Sequence, residues 1–175
     1  MTAAPAAAQT APVPVVEPGT WSATPFLSFT FARTPEDNSC CSGSGLGLGV
    51  AAGYDFTDRI GVEGEIGYIF DLLGDTPDDW SSLNVGAGIL YHFPLDNGMA
   101  PYAALGIGFV RSSRTIAALS ETSTEFGVNL GGGIKVPLTD AFSARADLRY
   151  FKGNDLAFDG FRLYGGITWK VRPPS

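Results

Sequence analysis

Along residues 161–171, FRLYGGITWKV, apolar and polar positions alternate. Phe161, Leu163, Gly165, Ile167, Trp169 and Val171 fall on one side, and Arg162, Tyr164, Gly166, Thr168 and Lys170 on the other. A period of two is the spacing of a β-strand with unlike faces. The aromatics near its two ends, Phe161 and Trp169, are eight residues apart. That is about 20 Å along a tilted strand, close to the apolar height of a lipid-facing strand.

Seven earlier stretches repeat the pattern. Residues 21–33 set Trp21, Ala23, Pro25, Leu27, Phe29 and Phe31 against Ser22, Thr24, Ser28 and Thr30, with Phe26 out of step. Residues 43–56 carry Leu46, Leu48, Val50, Ala52, Tyr54 and Phe56 on one face and Gly45, Gly47, Gly49, Ala51 and Gly53 on the other. In 60–70, Ile60, Val62, Ile66, Tyr68 and Phe70 oppose Glu63 and Glu65. Strands follow at 80–93, 101–111, 123–136 and 142–151, the last setting Phe142, Ala144, Ala146, Leu148 and Tyr150 against Arg145, Asp147 and Arg149. Short turns at 57–59, 94–100 and 137–141 alternate with longer polar loops at 34–42, 71–79, 112–122 and 152–160. A weak repeat of about forty residues marks the short turns, with YDFTD at Tyr54, YHFPLD at Tyr91 and IKVPLTD at Ile134, each one hairpin unit.

The strands predict a closed sheet with its greasy face outward and its polar face inward. Lipid offers no partner for backbone polar groups, so a spanning sheet has to close, last strand on first. Aromatic rings gather at two heights, as they do where an apolar body and a polar surround are both available. Trp21, Tyr54, Phe56, Tyr91, Phe93, Phe142 and Trp169 form the band near the short turns. Phe29, Phe31, Tyr68, Phe70, Phe109, Phe126, Tyr150 and Phe161 form the other. A soluble sandwich explains the alternation but not the two bands. No apolar run of about eighteen residues exists for a transmembrane helix. Residues 1–20 are Ala- and Pro-rich and aperiodic, without a basic n-region or apolar h-region. They read as a flexible lead or the remnant of a signal peptide, AAPAAAQ resembling a cleavage-site tail. Residues 172–175 read as a C-terminal tail.

Composition changes this picture little. The 23 Gly and 12 Pro are dispersed among alternating segments, which favours strands joined by turns over disorder. A net charge of −7 argues against nucleic acid, which needs a clustered basic face.

The stretches GLGLGVAAGYDFTDRIGVEGEIGY and LNVGAGILYHF, with the closing LYGGITWKV, resemble the small eight-stranded outer membrane barrels, the group of the OmpA barrel domain and OmpX with their porin-like relatives. The likeness covers nearly everything from Trp21 onward. It implies an all-β, eight-stranded antiparallel up-and-down transmembrane β-barrel over 21–171, integral to the outer membrane of a Gram-negative cell, with both termini periplasmic. The partners it implies are outer membrane lipid, lipopolysaccharide and, during biogenesis, the barrel assembly machinery. The chain is expected to be a monomer, without a cofactor. Members usually end on an aromatic residue, whereas Val171 is followed here by Arg-Pro-Pro-Ser, so recognition by the machinery would depend on Trp169 or tolerate the extension.

Inward charges are the most informative chemistry. Strands three and seven of a closed eight-strand barrel lie opposite, and Glu63 and Glu65 share a depth with Arg145 and Arg149. The bore is narrow enough for such side chains to meet. Asp147, Arg162, Glu125 and Lys135 extend the set to a lumen network that plugs the bore. As packing it is a core; as function it would be a gate for small ions. Catalysis is not expected. Lipid-A-modifying barrels of this architecture need a His with a Ser and a carboxylate at the outer rim, and the one histidine, His92, falls inside near a short turn. Cys40 and Cys41 are a candidate vicinal disulfide or two free thiols. Neither they nor the acidic cluster at 75–79 supply a metal site's donor set. The reading is a structural or surface-interaction protein, with a narrow porin-like conduit and a soluble barrel holding an apolar ligand as the alternatives.

Overall fold

The computed structural model describes residues 14–33, 43–71, 79–116, 119–153 and 159–171. Eight strands, β1 (Thr20–Arg33), β2 (Gly43–Asp55), β3 (Ile60–Asp71), β4 (Asp79–His92), β5 (Ala100–Ile116), β6 (Leu119–Pro137), β7 (Phe142–Gly153) and β8 (Asp159–Val171), form a closed barrel in sequence order. Every neighbouring pair is antiparallel, and β8 closes on β1 from Trp21↔Val171 to Arg33↔Asp159. Order of pairing sets the geometry that matters below: β3 stands across the bore from β7, and β1 from β5.

Alternation along each strand sorts the side chains. Leu27, Leu105 and Leu130 are 64%, 60% and 62% exposed and face outward, whereas Thr30, Ser82 and Arg162 are fully or almost fully enclosed. A water-soluble barrel puts its aliphatic side chains in the bore; here all eight strands present them outside, far beyond the apolar patch a soluble surface carries. Ring contacts fall at the two heights. Trp21–Tyr54, Tyr54–Phe56 and Tyr91–Phe93 (4.8–5.0 Å) lie at the turn end. Phe29–Phe31, Tyr68–Phe70, Phe109–Phe126 and Tyr150–Phe161 (4.7–5.8 Å) lie toward the far end. Phe142 and Trp169 stand opposite one another across the β7–β8 ladder.

The repeated turn motif has a mechanical reason. In the β2–β3 turn the Thr57 hydroxyl accepts from Arg59 N and Ile60 N at 3.1 and 2.9 Å. Thr139 repeats this in the β6–β7 turn, accepting from Ala141 N and Phe142 N at 3.3 and 3.1 Å. Asn97 takes the same part in the β4–β5 turn, where its Oδ1 accepts from Met99 N at 3.1 Å. A short side chain that bonds its own backbone two or three residues on fixes a tight turn.

Three details depart from the sequence reading. Phe26 is not out of step: position 26 shares the inward parity of Thr24 and Ser28, and its ring packs on Tyr164 at 4.9 Å inside the bore. Glycines make room for it, since a methyl group on Gly49 would stand 2.5 Å from Phe26 Cζ and one on Gly166 3.1 Å from Phe26 Cβ. The loop expected over 112–122 is a paired hairpin instead. The β5–β6 ladder continues through Ser112↔Ser123, Arg114↔Glu121 and Ile116↔Leu119. Above the lipid both faces of a strand meet water, so the ladder persists while the alternation that betrays it fades. Third, residues 14–19 of the expected flexible lead lie against the barrel, with Val15 and Val16 buried on Ala100.

Candidate functional site

The bore is filled at mid-height by three guanidinium groups and three carboxylates. Arg145 of β7 reaches across to β3 and binds Glu63 through both Nη atoms, Nη2 donating to Oε1 at 3.0 Å and Nη1 to Oε2. Its Nη2 also donates to Asp147 Oδ2 at 2.7 Å. Arg149 Nη2 donates to Glu63 Oε1 at 2.8 Å and its Nη1 to Glu65 Oε2 at 3.3 Å. Arg162 Nη1 lies 3.4 Å from Glu65 Oε1. Removing an ion from water costs several kcal/mol, which pairing and hydrogen bonds offset only when both are good. Equal numbers of each sign and the bidentate Arg145–Glu63 fork supply most of that offset, while Asp147 Oδ1, Arg149 Nε, Arg162 Nε and Arg162 Nη2 are buried without a hydrogen bond among the described residues.

Neutral groups complete the network. Tyr102 Oη donates to Asp147 Oδ2 and accepts from Arg145 Nε at 2.8 Å. Tyr164 Oη donates to Glu65 Oε1 and accepts from Arg162 Nη1, both at 2.9 Å. Asn84 Oδ1 accepts from Arg162 Nη1 at 2.9 Å while its amide donates to Gly67 O. The guanidinium of Arg162 lies 4.2 Å from the centroid of the Phe151 ring. Glycines leave the space: a methyl group on Gly133 would meet Asp147 Cβ and stand 2.7 Å from Tyr102 Oη.

Of the eight charges that parity puts in the lumen, six meet here: Glu63, Glu65, Arg145, Asp147, Arg149 and Arg162. Lys135 belongs to a lower layer near the turn end, 6.0 Å from the Tyr102 centroid. Glu125 sits toward the far end, lining a recess with Val110 and Phe151. Asn84, Tyr102 and Tyr164 are buried in the bore as well, but uncharged residues give no reason in the sequence to expect pairing.

His92 is wholly enclosed near the turn end, with Nδ1 3.9 Å from Asp55 Oδ1, beyond hydrogen-bond reach. Neither ring nitrogen makes a hydrogen bond among the described residues, so the nucleophile–base contact that acyl chemistry requires is missing there. No group of three His, Cys, Asp or Glu side chains fit to hold a metal ion occurs among the described residues. Cys40 and Cys41, and the acidic side chains at 75–79, lie outside them.

The comparisons agree with this architecture. The family model described as the outer membrane protein beta-barrel domain matches residues 1–167. Among solved structures, Neisserial surface protein A is similar over 86% of this chain and 97% of its own, with 17% identity and a TM-score of 0.74. Ail, the attachment invasion locus protein of Yersinia pestis, matches over 89% and 100% with 17% identity and a TM-score of 0.63. OprG of Pseudomonas aeruginosa matches over 90% and 98% with 14% identity and a TM-score of 0.66. At such identities the likeness is one of fold. No curated protein sequence matches the chain. With its greasy exterior, its charged bore and a family model spanning nearly its whole length, the chain belongs to the family of outer membrane protein β-barrels.

Proposed function

We propose that this protein is a non-enzymatic outer-membrane barrel whose lumen is plugged by ion pairs and whose far end is a surface for interaction outside the cell. The observation that carries the reading is the balanced set of three arginines and three carboxylates, each buried, in which Glu63 and Glu65 are bonded across the bore and Asp147 pairs with Arg145 beside it on β7. Such a set leaves each charged side chain held by at least one partner of opposite sign, so none of the six stands free to lead a solute through. The polar stretches beyond the aromatic bands are longer at the far end, as they are on the external side of outer-membrane barrels. On that reading both termini and the three short turns are periplasmic. Outer membrane lipid and lipopolysaccharide surround the barrel, the assembly machinery inserts it, and the chain acts as a monomer. The likeness to an attachment protein supports a surface role by analogy of fold alone.

A narrow conduit is the second reading. It is favoured by a recess beside the charges, lined by Glu65, Asn84, Val110, Asn129 and Phe151. The network beside that recess is what separates the two readings.

Orientation tests the surface role. Short epitope tags inserted at 75–78 and at Asn97 are compared on intact and permeabilised Gram-negative cells. The proposal requires the first tag to be stained on intact cells and the second only after permeabilisation. The reverse pattern puts the short turns outside and ends the surface reading.

A further inference from the structure

Inward side chains in the outermost layer of an open barrel meet water. At the turn end of this barrel they do not: Thr20, Asp55, His92, Ala100, Ser143 and Lys170 are each buried, none more than 6% exposed. A segment of the chain itself lies against this layer at Asp55, Ala100 and Lys170. Residues 14–19 leave β1 through Gly19, whose φ of +74° suits the turn and whose N–H donates to Asp55 O of β2 at 2.7 Å. The segment ends on the β4–β5 turn, where Val15 N donates to Gly98 O at 3.3 Å. Since β5 stands across the bore from β1, this path traverses the mouth.

The anchors surround the rim. Val15 and Val16, each 4% exposed, pack on Ala100 at the start of β5. Lys170 of β8 points inward at the mouth, and its Nζ donates to Glu17 Oε1 and to Pro14 O, both at 2.9 Å. An ammonium so enclosed needs a carboxylate and a carbonyl close by, and the segment supplies both. Two apolar side chains, one ion pair and backbone bonds at either end hold six residues that have no secondary structure of their own.

We propose that residues 14–19 are a strap that seals the turn-end mouth of the lumen, a closure separate from the charges at mid-height. Its hold depends on Glu17 facing Lys170 and on two valines, so a charge change in the segment releases it while the strand ladders that close the barrel wall, none of which includes residues 14–19, stay intact. The two closures also fail separately: loss of the mid-height pairs opens the bore beside the recess, whereas loss of the strap wets only the turn-end layer.

Thiol accessibility reads the strap without reference to conduction. In a Cys40→Ser, Cys41→Ser background, Ala100→Cys reports from beneath the valines. Ser143→Cys reports from another part of the rim, two strands away on β7, where the hydroxyl makes no hydrogen bond that the substitution would forfeit. Each is refolded in detergent micelles and treated with a charged, water-soluble maleimide. The comparison is between the native strap and Val15→Asp, Val16→Asp, Glu17→Arg together. Both thiols react at least tenfold faster once the strap is released, with the heat-dependent gel mobility of the closed barrel retained. Equal rates at Ser143→Cys in the two backgrounds overturn the seal, and acceleration confined to Ala100→Cys overturns it too, because the segment is then only local packing on the rim. If the triple variant loses its heat-dependent mobility, the chain shortened to begin at Gly19 carries the same comparison.

Discussion

Arg145 and Glu63, on strands that face each other across the bore, are joined through both guanidinium Nη atoms and both carboxylate oxygens. The bond crosses the lumen at its middle. It ties opposite walls of the barrel directly, where neighbouring strands are tied only by their ladders.

Breaking this pair from one side leaves a buried charge with fewer partners. Arg145→Met alone, or Glu63→Gln alone, is expected to cost on the order of 3–5 kcal/mol in folding free energy. The double variant is expected to cost less than the sum, with a coupling of about 0.5–3 kcal/mol. Urea unfolding of the four proteins in lipid vesicles, followed by tryptophan fluorescence, measures both. Additive losses contradict the direct pairing.

Space inside the barrel is as specific as charge. Gly133→Ala puts a methyl group against Asp147 Cβ and the Tyr102 hydroxyl, and is expected to cost more than about 2 kcal/mol, the upper part of the range for overpacking. Gly165→Ala faces outward with nothing within 4 Å, and is expected to be neutral or stabilising. The same vesicle unfolding assay separates them.

The outer face should respond to charge by depth. Leu105 and Leu130 pair at mid-height, so Leu130→Arg is expected to cost about 2–4 kcal/mol, against about 0–1 kcal/mol for Leu138→Arg in the β6–β7 turn. Similar costs at the two sites would mean that lipid does not surround the waist.

Closure of β1 on β8 has a weak point and a staple. The β1–β8 ladder is interrupted at Thr24 and Pro25, and proline has no N–H to give it. There the Thr24 and Thr168 hydroxyls meet at 2.9 Å inside the seam. Thr24→Val alone strands a buried hydroxyl and is expected to cost about 1–3 kcal/mol, while Thr24→Val with Thr168→Val together approaches neutrality. Equilibrium unfolding of the two variants checks the difference.

Much of this was legible by counting. Face follows from parity and depth from distance to the nearest turn, so Glu63, Glu65, Arg145 and Arg149 read as one layer before any coordinates. Counting does not say which charges touch, because strand tilt and side-chain length decide that. Lys135 and Glu125 share the parity of the others and lie in different layers. Phe26 looked like a fault because an aromatic inside a bore is unexpected, although its parity was regular. The extended β5–β6 hairpin is not legible in the sequence because water on both faces removes the pattern. Residues 14–19 are illegible for another reason: two valines and a glutamate held by tertiary contacts have no period to read.

Whether the bore is closed is read in a planar lipid bilayer. The full chain is refolded, inserted, and bathed in potassium chloride on both sides, with Glu63→Gln and Arg145→Met run alongside. With the bore closed, the native chain inserts without current steps above the bare membrane. Sustained steps of ordinary ionic current through the native chain, altered by either substitution, would contradict closure and make the lumen a conduit.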